Sequence, residues 1–435
     1  MKRVFVQSFG CRASQADGAG IEAALEQQGI SSTSQAAEAD LIVLNTCTVT
    51  ANADADARHA IRRLHRESPN ARILVTGCFA QRAPEELAAL EGVNWVVGNS
   101  HKTSIPEIVL SPLESSEEYH GQVFRGDRSK AREFLSAPVV DAYADRTRPN
   151  LKVQDGCSNK CSFCIIPSVR GLSRSARLDS AIAQMRTLAE RYCEVVLSGI
   201  NLGRWGRDLP GSLRFIDLVK MILDLTPVKR LRISSVEPMD WSSDLIELMA
   251  REPRIARHVH MPLQSASDSV LKRMYRKYRV RHYASRLDLV HKLMPDAAIG
   301  ADVMTGFPGE TDSEFDETRS FIEQQPFTYL HVFTYSERPG TLAASADEQV
   351  PVEVRRQRTH VLRQLGEAKN LQFRTSLTGQ RLSAVTLNNQ TALTTNFLHV
   401  ELNQRREPNQ MIEVVVGLPS AKGIREQEYF PVLPA

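Results

Sequence analysis

Cys157, Cys161 and Cys164 stand three and two residues apart in Cys157-Ser158-Asn159-Lys160-Cys161-Ser162-Phe163-Cys164, directly after the strand-like run Leu151-Lys152-Val153-Gln154. This spacing lets three thiolates converge on one side of a short loop and hold a metal centre. Three thiolates with no fourth ligand nearby suit a cubane iron–sulfur cluster with one iron left open, whereas four would close it. The alternative is a structural zinc site, which normally takes four Cys or His ligands at short spacings. No His lies between Cys157 and Cys193, and Cys193, just before Val195-Val196-Leu197, reads as a small buried residue of a strand.

The first hundred residues alternate short apolar strands (3–6, 41–44, 73–75, 95–97) with helical segments (18–28, 52–66, 82–90), an order that predicts a doubly wound parallel α/β sheet. Cys11, Cys47 and Cys78 each follow one of those strands, in Phe9-Gly10-Cys11, Asn45-Thr46-Cys47 and Thr76-Gly77-Cys78. Ligands of such sheets collect at the carboxyl ends of the strands, so the three are expected to meet. Singly, each reads as a buried hydrophobe. Three at equivalent topological positions read as ligands of a second cluster, again with an open iron.

Beyond a polar linker at 111–149 with one short strand, six strand candidates follow at 151–154, 194–198, 230–236, 258–263, 299–304 and 328–335. Helical segments lie between them at 177–191, 213–225, 241–251, 267–293 (broken) and 312–324, so 150–350 reads as a partial (β/α)6 barrel. Its functional residues belong at the carboxyl ends of the strands. A basic helical connector at 351–375 leads to short strands within 376–435, a small β-barrel.

The Cys-x3-Cys-x-aromatic-Cys order, with Phe163 as the aromatic, resembles the signature of radical S-adenosylmethionine (SAM) enzymes. Asp155-Gly156-Cys157, Cys164-Ile165-Ile166-Pro167, Arg170-Gly171, Asn45-Thr46-Cys47-Thr48-Val49-Thr50 and Gly77-Cys78-Phe79-Ala80-Gln81 resemble the methylthiotransferases among them, which replace C–H by C–S–CH3. The resemblance spans nearly the whole chain. It implies two 4Fe–4S clusters, one on Cys11, Cys47 and Cys78 and one on Cys157, Cys161 and Cys164. SAM would sit at the open iron of the second, with Phe163, Gly199, Asn201, Glu237, Gln264 and Asp302 as cofactor-binding candidates; Gly199 and Gly306 would give it backbone access, although an isolated glycine is more often a turn residue. A second SAM would methylate a sulfur at the first cluster, and a flavodoxin- or ferredoxin-type partner would supply electrons. The sequence names no sulfur donor. Two departures are Ser14, where the family commonly has Asn, and Ala266, where it has Gly.

Within the family, 45–50, 197–209 and 331–341 look most like the subgroup acting on threonylcarbamoyladenosine at tRNA position 37. Methylthiotransferases of isopentenyladenosine-tRNA or of a ribosomal-protein aspartate are the competing readings. A non-enzymatic iron–sulfur electron carrier with an RNA-binding tail would need closed four-thiolate clusters and leaves the glycine-rich strand ends without a role. The carboxy-terminal strands resemble the small RNA-holding barrel called TRAM.

The 435 residues have room for about three domains of ~100–200 residues. No signal-peptide core and no apolar run near ~18 residues occurs. That places the protein in the cytoplasm and away from membranes, where seven cysteines point to metal rather than disulfides. A net charge of +3 is too weak to argue for nucleic acid, and 376–435 balances five Lys/Arg against five Glu. Between 271 and 292, eight Lys/Arg face one acidic residue, with Tyr275, Tyr278 and Tyr283 interleaved. Arg273, Arg276, Lys277 and Arg279 are therefore expected to hold tRNA phosphates while the tyrosines stack on bases. An ordinary solvated helix face is the competing reading.

Overall fold

The computed structural model describes residues 1–112, 121–127, 134, 147–421 and 423–427. Its first sheet holds β1 (Arg3–Ser8), β2 (Ser31–Ser32), β3 (Leu41–Thr46), β4 (Arg72–Gly77), β5 (Val93–Gly98) and β6 (Gln122–Phe124). They pair in parallel in the order β2-β1-β3-β4-β5-β6. This is the doubly wound arrangement, with β3 buried along its whole length between helices on both faces. The expected linker lies mostly outside the described residues, and its described part adds β6 to this sheet. The first helix, expected from residue 18, runs from Arg12 to Glu26. Its polar first turns look like loop in the sequence because their partners lie far along the chain: Ser14 and Asp17 both bond Arg170. The expected helix at 82–90 is two short ones, Cys78–Arg82 and Pro84–Ala88, divided at Ala83-Pro84.

The central unit carries β7 (Asn150–Asp155), β8 (Arg174–Ser175), β9 (Glu194–Gly199), β10 (Arg230–Ile233), β11 (His258–His260), β12 (Ala298–Thr305) and β13 (Tyr329–Thr334). They form two sheets, β10-β9-β7-β8 and β11-β12-β13, linked by a bridge between Leu231 and Ile255. All neighbours are parallel except β7 and β8. Side chains alternate strictly. Leu151, Val153, Val195, Leu197, Leu231, Ile233, Val259, Ile299, Ala301, Val303 and Val332 join the core under the helices. The positions between them (Lys152, Gln154, Glu194, Ser198, Arg232, His258, His260, Asp302, Tyr329, His331) face the interior and are almost all polar.

The helix Val352–Ser376 packs back along β13 and delivers the chain to β14 (Arg381–Thr386), β15 (Thr391–Thr394), β16 (His399–Glu401), β17 (Met411–Pro419) and β18 (Ile424–Glu426). These close a barrel in the order β14-β15-β16-β18-β17. It sits beneath the central barrel: Arg232 donates to the carbonyls of Thr394 and Thr395 at 3.0 and 3.2 Å, and Phe397 stacks on His258 at 4.2 Å. Cys193 is buried and its thiol donates to the carbonyl of Asn409, which is the structural role its sequence context indicated.

Buried ions join the first sheet to the central barrel. Asp17 accepts from Lys102 (2.9 Å), Arg170 (3.0 Å) and Lys152, and these cations hold its carboxyl well below the usual range against the desolvation that burial imposes. Asp54 accepts from Arg82 (2.9 Å) and Arg338 (2.8 Å), so the segment after β13 is clamped to the segment after β3.

Replacing Asp17 by Asn leaves three buried cations without their shared carboxylate, a loss of about 3–5 kcal/mol that a lowered urea midpoint will register. Arg319→Ala, on an exposed helix face, should leave the midpoint unchanged. Because the folded pKa of Asp17 is depressed, its contribution is complete above about pH 4 and is lost as the pH falls from there toward the folded value. A wild-type midpoint in D17N would show that this carboxylate does not hold the interface.

Candidate active site

Cys11, Cys47 and Cys78 lie at the carboxyl ends of β1, β3 and β4, where neighbouring loops converge. Gly10, at φ +91°, makes the convergence possible: a Cβ there would come within 2.8 and 2.9 Å of the Cys47 Cβ and Sγ. Cys11 is exposed, and Cys47 and Cys78 are buried. Burial, reinforced by the neighbouring Cys78 and Cys11, pushes the Cys47 thiol up to about 12. Cys78 receives N–H groups from Arg170 Nε at 3.3 Å and Asn99 Nδ2 at 3.7 Å.

Cys157, Cys161 and Cys164 occupy the loop that leaves β7. Ser162 pins it through its backbone N–H to Met274, its hydroxyl to Arg273 and its carbonyl from Ala343. The Phe163 ring packs edge-on against Phe307 at 6.4 Å. Cys157 Sγ accepts from the Asn159 N–H and from Asn201 Nδ2, both at 3.4 Å, and Cys161 Sγ accepts from Arg276 NH1 at 3.4 Å. Burial pushes the Cys164 thiol up to about 12 and raises that of Cys157.

The chemistry of these donors fits two iron–sulfur clusters. Neither cysteine set brings its three sulfurs within 4.8 Å of one another, whereas tetrahedral zinc with ~2.3 Å bonds needs them about 3.8 Å apart. Burial alone would keep the Cys47, Cys157 and Cys164 thiols protonated, so thiolates there require cationic iron and, at Cys157, the N–H groups directed at the sulfur. Near the second set, Asn201 Oδ1 and Ser198 Oγ are buried without a hydrogen-bond partner among the described residues.

The other cofactor candidates fall around the same strand ends in different states. Gly199 lacks a Cβ because one would meet Gln154 at 2.9 Å, and the Gln154 side chain in turn accepts from the Asn201 N–H at 2.6 Å. Glu237 is paired with Arg276. Gln264 adopts φ +61°, with its backbone held by Asp302 and Met304. Asp302 sits deeper in the barrel, between His331 Nδ1 at 3.2 Å and His260 Nε2 at 3.4 Å, and these bonds hold it far below the usual carboxylate range despite burial. Lower still, Glu194 takes Arg232 at 2.7 Å and Arg148 at 3.2 Å; its pKa falls to about 2 because those guanidiniums outweigh its desolvation.

The two cysteine sets meet at Arg170. The helix Ile166–Arg170, which continues the second cysteine loop, packs Ile165, Ile166 and Val169 against Cys78. Arg170 then bonds Cys78, Ser14 (3.1 Å) and Asp17 of the first unit and Asp155 (2.9 Å), two residues before Cys157.

Residues 3–98 match an uncharacterized protein family, UPF0004, and residues 151–322 match the radical SAM superfamily. The chain is 39% identical over 367 residues to the threonylcarbamoyladenosine tRNA methylthiotransferase MtaB of Bacillus subtilis, covering 83% of this chain and 80% of that protein. It is 33% identical to the Aquifex aeolicus protein of the same name, over 95% of this chain and all of that one. It is also 33% identical to the tRNA-2-methylthio-N(6)-dimethylallyladenosine synthase of Syntrophobacter fumaroxidans, over 86% of this chain and 83% of that one. The chain belongs to the radical SAM methylthiotransferases. Its fold is shared with the radical SAM methyltransferase TsrM of Kitasatospora setae, at a TM-score of 0.58 and 16% identity over 79% of this chain and 77% of that one.

In this methylthiotransferase two of the four cations singled out in the basic run 271–292, and two of its three tyrosines, are engaged within the protein. Arg276 is buried against Glu237 and Cys161, and Arg273 is bound to Glu314 at 2.7 Å. Tyr278 and Tyr283 are buried and donate to the carbonyls of Leu263 and Met261, so neither offers a face to a base. Lys277, Arg279 and Tyr275 remain exposed. Composition alone does not show that Arg276 turns inward to Glu237 or that Arg273 is paired with Glu314. Sequence reasoning also missed Arg170 as the joint, although it lay within a quoted motif.

In iron-free protein at pH 8, iodoacetamide should modify exposed Cys11 first and Cys47 and Cys164 last. The slow pair should speed up about tenfold per pH unit between 8 and 10, following their thiolate fraction. Peptide mass spectrometry reads each site, and equal rates at all six would contradict the described burial.

Proposed function

We propose that this cytoplasmic methylthiotransferase converts threonylcarbamoyladenosine at tRNA position 37 into its 2-methylthio derivative, with Cys11, Cys47 and Cys78 holding one 4Fe–4S cluster and Cys157, Cys161 and Cys164 the other. The observation that carries this reading is the packing of the helix that continues the second cysteine loop against Cys78, with Arg170 bonding Cys78 on one side and Asp155 of β7 on the other. When bound, the clusters and SAM supply reductive cleavage of SAM, hydrogen abstraction from the adenosine and a methylated sulfur. A flavodoxin- or ferredoxin-type protein supplies the electron.

The chain's own residues bind, orient and exclude. Asn201 bonds the Cys157 sulfur, and its buried side-chain oxygen, unpartnered among the described residues, is left to accept from a cofactor. Gln154, fixed by the carbonyls of Asp155 and Gly156, holds the Asn201 backbone in that position. Arg276 and Glu237 close the outer edge beside Cys161. Arg170 keeps the first cysteine set against the mouth of the barrel, so that the base enters between the two. The threonylcarbamoyl reading is supported by the names of the relatives at 33–39% identity and by the 45–50, 197–209 and 331–341 motifs. In the fold the first and third of these motifs touch, where Arg338 donates to the Thr48 carbonyl at 3.1 Å. A dimethylallyladenosine substrate is the second reading, resting on relatives at 31–33% identity.

Mass spectrometry of tRNA nucleosides from cells lacking the protein should show threonylcarbamoyladenosine accumulating and its 2-methylthio form absent. Loss of a methylthio-dimethylallyl nucleoside instead would favour the second reading. In vitro, Cys161→Ala should abolish SAM cleavage, whereas Cys47→Ala should still form 5′-deoxyadenosine under strong reductant and yield no methylthiolated tRNA. Normal methylthiolation by the Cys47 variant would remove the first cysteine set from the reaction.

A further inference from the structure

The substrate reading imposes a demand that a dimethylallyl group does not, because the threonylcarbamoyl side chain carries a free carboxylate. The lower barrel holds an excess of positive charge, buried at Arg230 and Arg232 and half-buried at Arg12 and Arg148. Arg12, Arg148, Arg230 and Arg232 gather there around one carboxylate, Glu194, whose side chain is fully buried. Glu194 is already committed: one oxygen accepts from Arg232 Nε at 2.7 Å and Arg148 NH1 at 3.2 Å, and the other from Arg232 NH2 at 3.0 Å, with Arg230 3.8 Å away. His258 faces the same arginines and is kept neutral by burial and by that positive charge, and Tyr329 bonds it. Arg12 stands apart from its neighbours. Its one hydrogen bond is NH1 to Asn150 Oδ1 at 3.3 Å, and no carboxylate among the described residues lies within ion-pair distance. Desolvated cations without a counter-charge are costly, and such a group persists where a ligand anion completes it. Arg12 also follows Cys11 directly, at the first cysteine set, where the base must approach.

We propose that Arg12, backed by Arg148, receives the carboxylate of the threonylcarbamoyl side chain and is the residue by which this enzyme distinguishes that substrate from one with an uncharged N6 substituent. The inference rests on the substrate reading above. An RNA backbone phosphate is the other anion of the same chemistry, and the test separates the two.

The test measures binding of anticodon stem-loops by fluorescence anisotropy to the full, cluster-loaded chain. One RNA carries threonylcarbamoyladenosine at position 37, one plain adenosine, and one the methyl ester of the threonylcarbamoyl group. Wild-type should prefer the first over the other two by on the order of tenfold or more, the ratio expected of a charge-assisted hydrogen bond. Arg12→Gln should bring that ratio to about one, and Arg12→Lys should restore part of it. A ratio that survives in Arg12→Gln overturns the proposal. So does equal weakening toward all three RNAs with a salt slope reduced by about one, which assigns Arg12 to a phosphate. If wild-type shows no preference and does not methylthiolate the threonylcarbamoyl RNA, the substrate reading fails and takes the proposal with it; if wild-type does both and only Arg12→Gln behaves as wild-type, the proposal alone fails.

Discussion

One buried guanidinium joins the two halves of the catalytic apparatus. Arg170 spends its donors on Cys78, Ser14 and Asp17 of the first sheet and on Asp155 of β7, and all of these partners except Ser14 carry or acquire negative charge. Removing one member of a buried ion pair costs about 3–5 kcal/mol, because the remaining charge has no water to turn to. That penalty makes the relative placement of the cysteine sets specific. A lysine offers one point charge and lacks the planar fork needed to reach a sulfur and two carboxylates at once. The carboxylates stay ionised in turn because Lys102, Lys152 and Arg174 surround them.

The polar barrel interior exists because the fold provides apolar contact elsewhere. Every central strand gives alternate residues to the helical layer, and that core carries the hydrophobic stabilisation while the other face is free for chemistry. The openings of the partial barrel are covered by the first sheet at the side and the carboxy-terminal barrel beneath. Phe397 accepts a left-handed backbone (φ +65°) to stack on His258, a local strain held in place by Arg232 gripping the carbonyls of Thr394 and Thr395.

The architecture was legible because its signals are local. Strand and helix periodicity placed the sheet, the six barrel strands and the small barrel, and cysteines at equivalent strand ends announced their own convergence. What failed depended on contacts far apart in sequence. The first turns of the Arg12–Glu26 helix looked like loop because Ser14 and Asp17 find their partners more than 150 residues away at Arg170. In the 271–292 run, composition cannot show that Arg276 turns inward to Glu237 or that Tyr283 is wholly enclosed. Gly199 suggested cofactor access, and its immediate cause is the close passage of Gln154.

The central claim is that one chain holds two three-thiolate centres that form independently on either side of Arg170. Iron and acid-labile sulfide counted after anaerobic reconstitution test it most directly, with wild-type compared to Cys78→Ala and Cys161→Ala. The account predicts about eight irons for wild-type and about four for each variant, since a cubane holds four. Four irons in wild-type, stoichiometric zinc in either site, or loss of both clusters on changing one cysteine would contradict it.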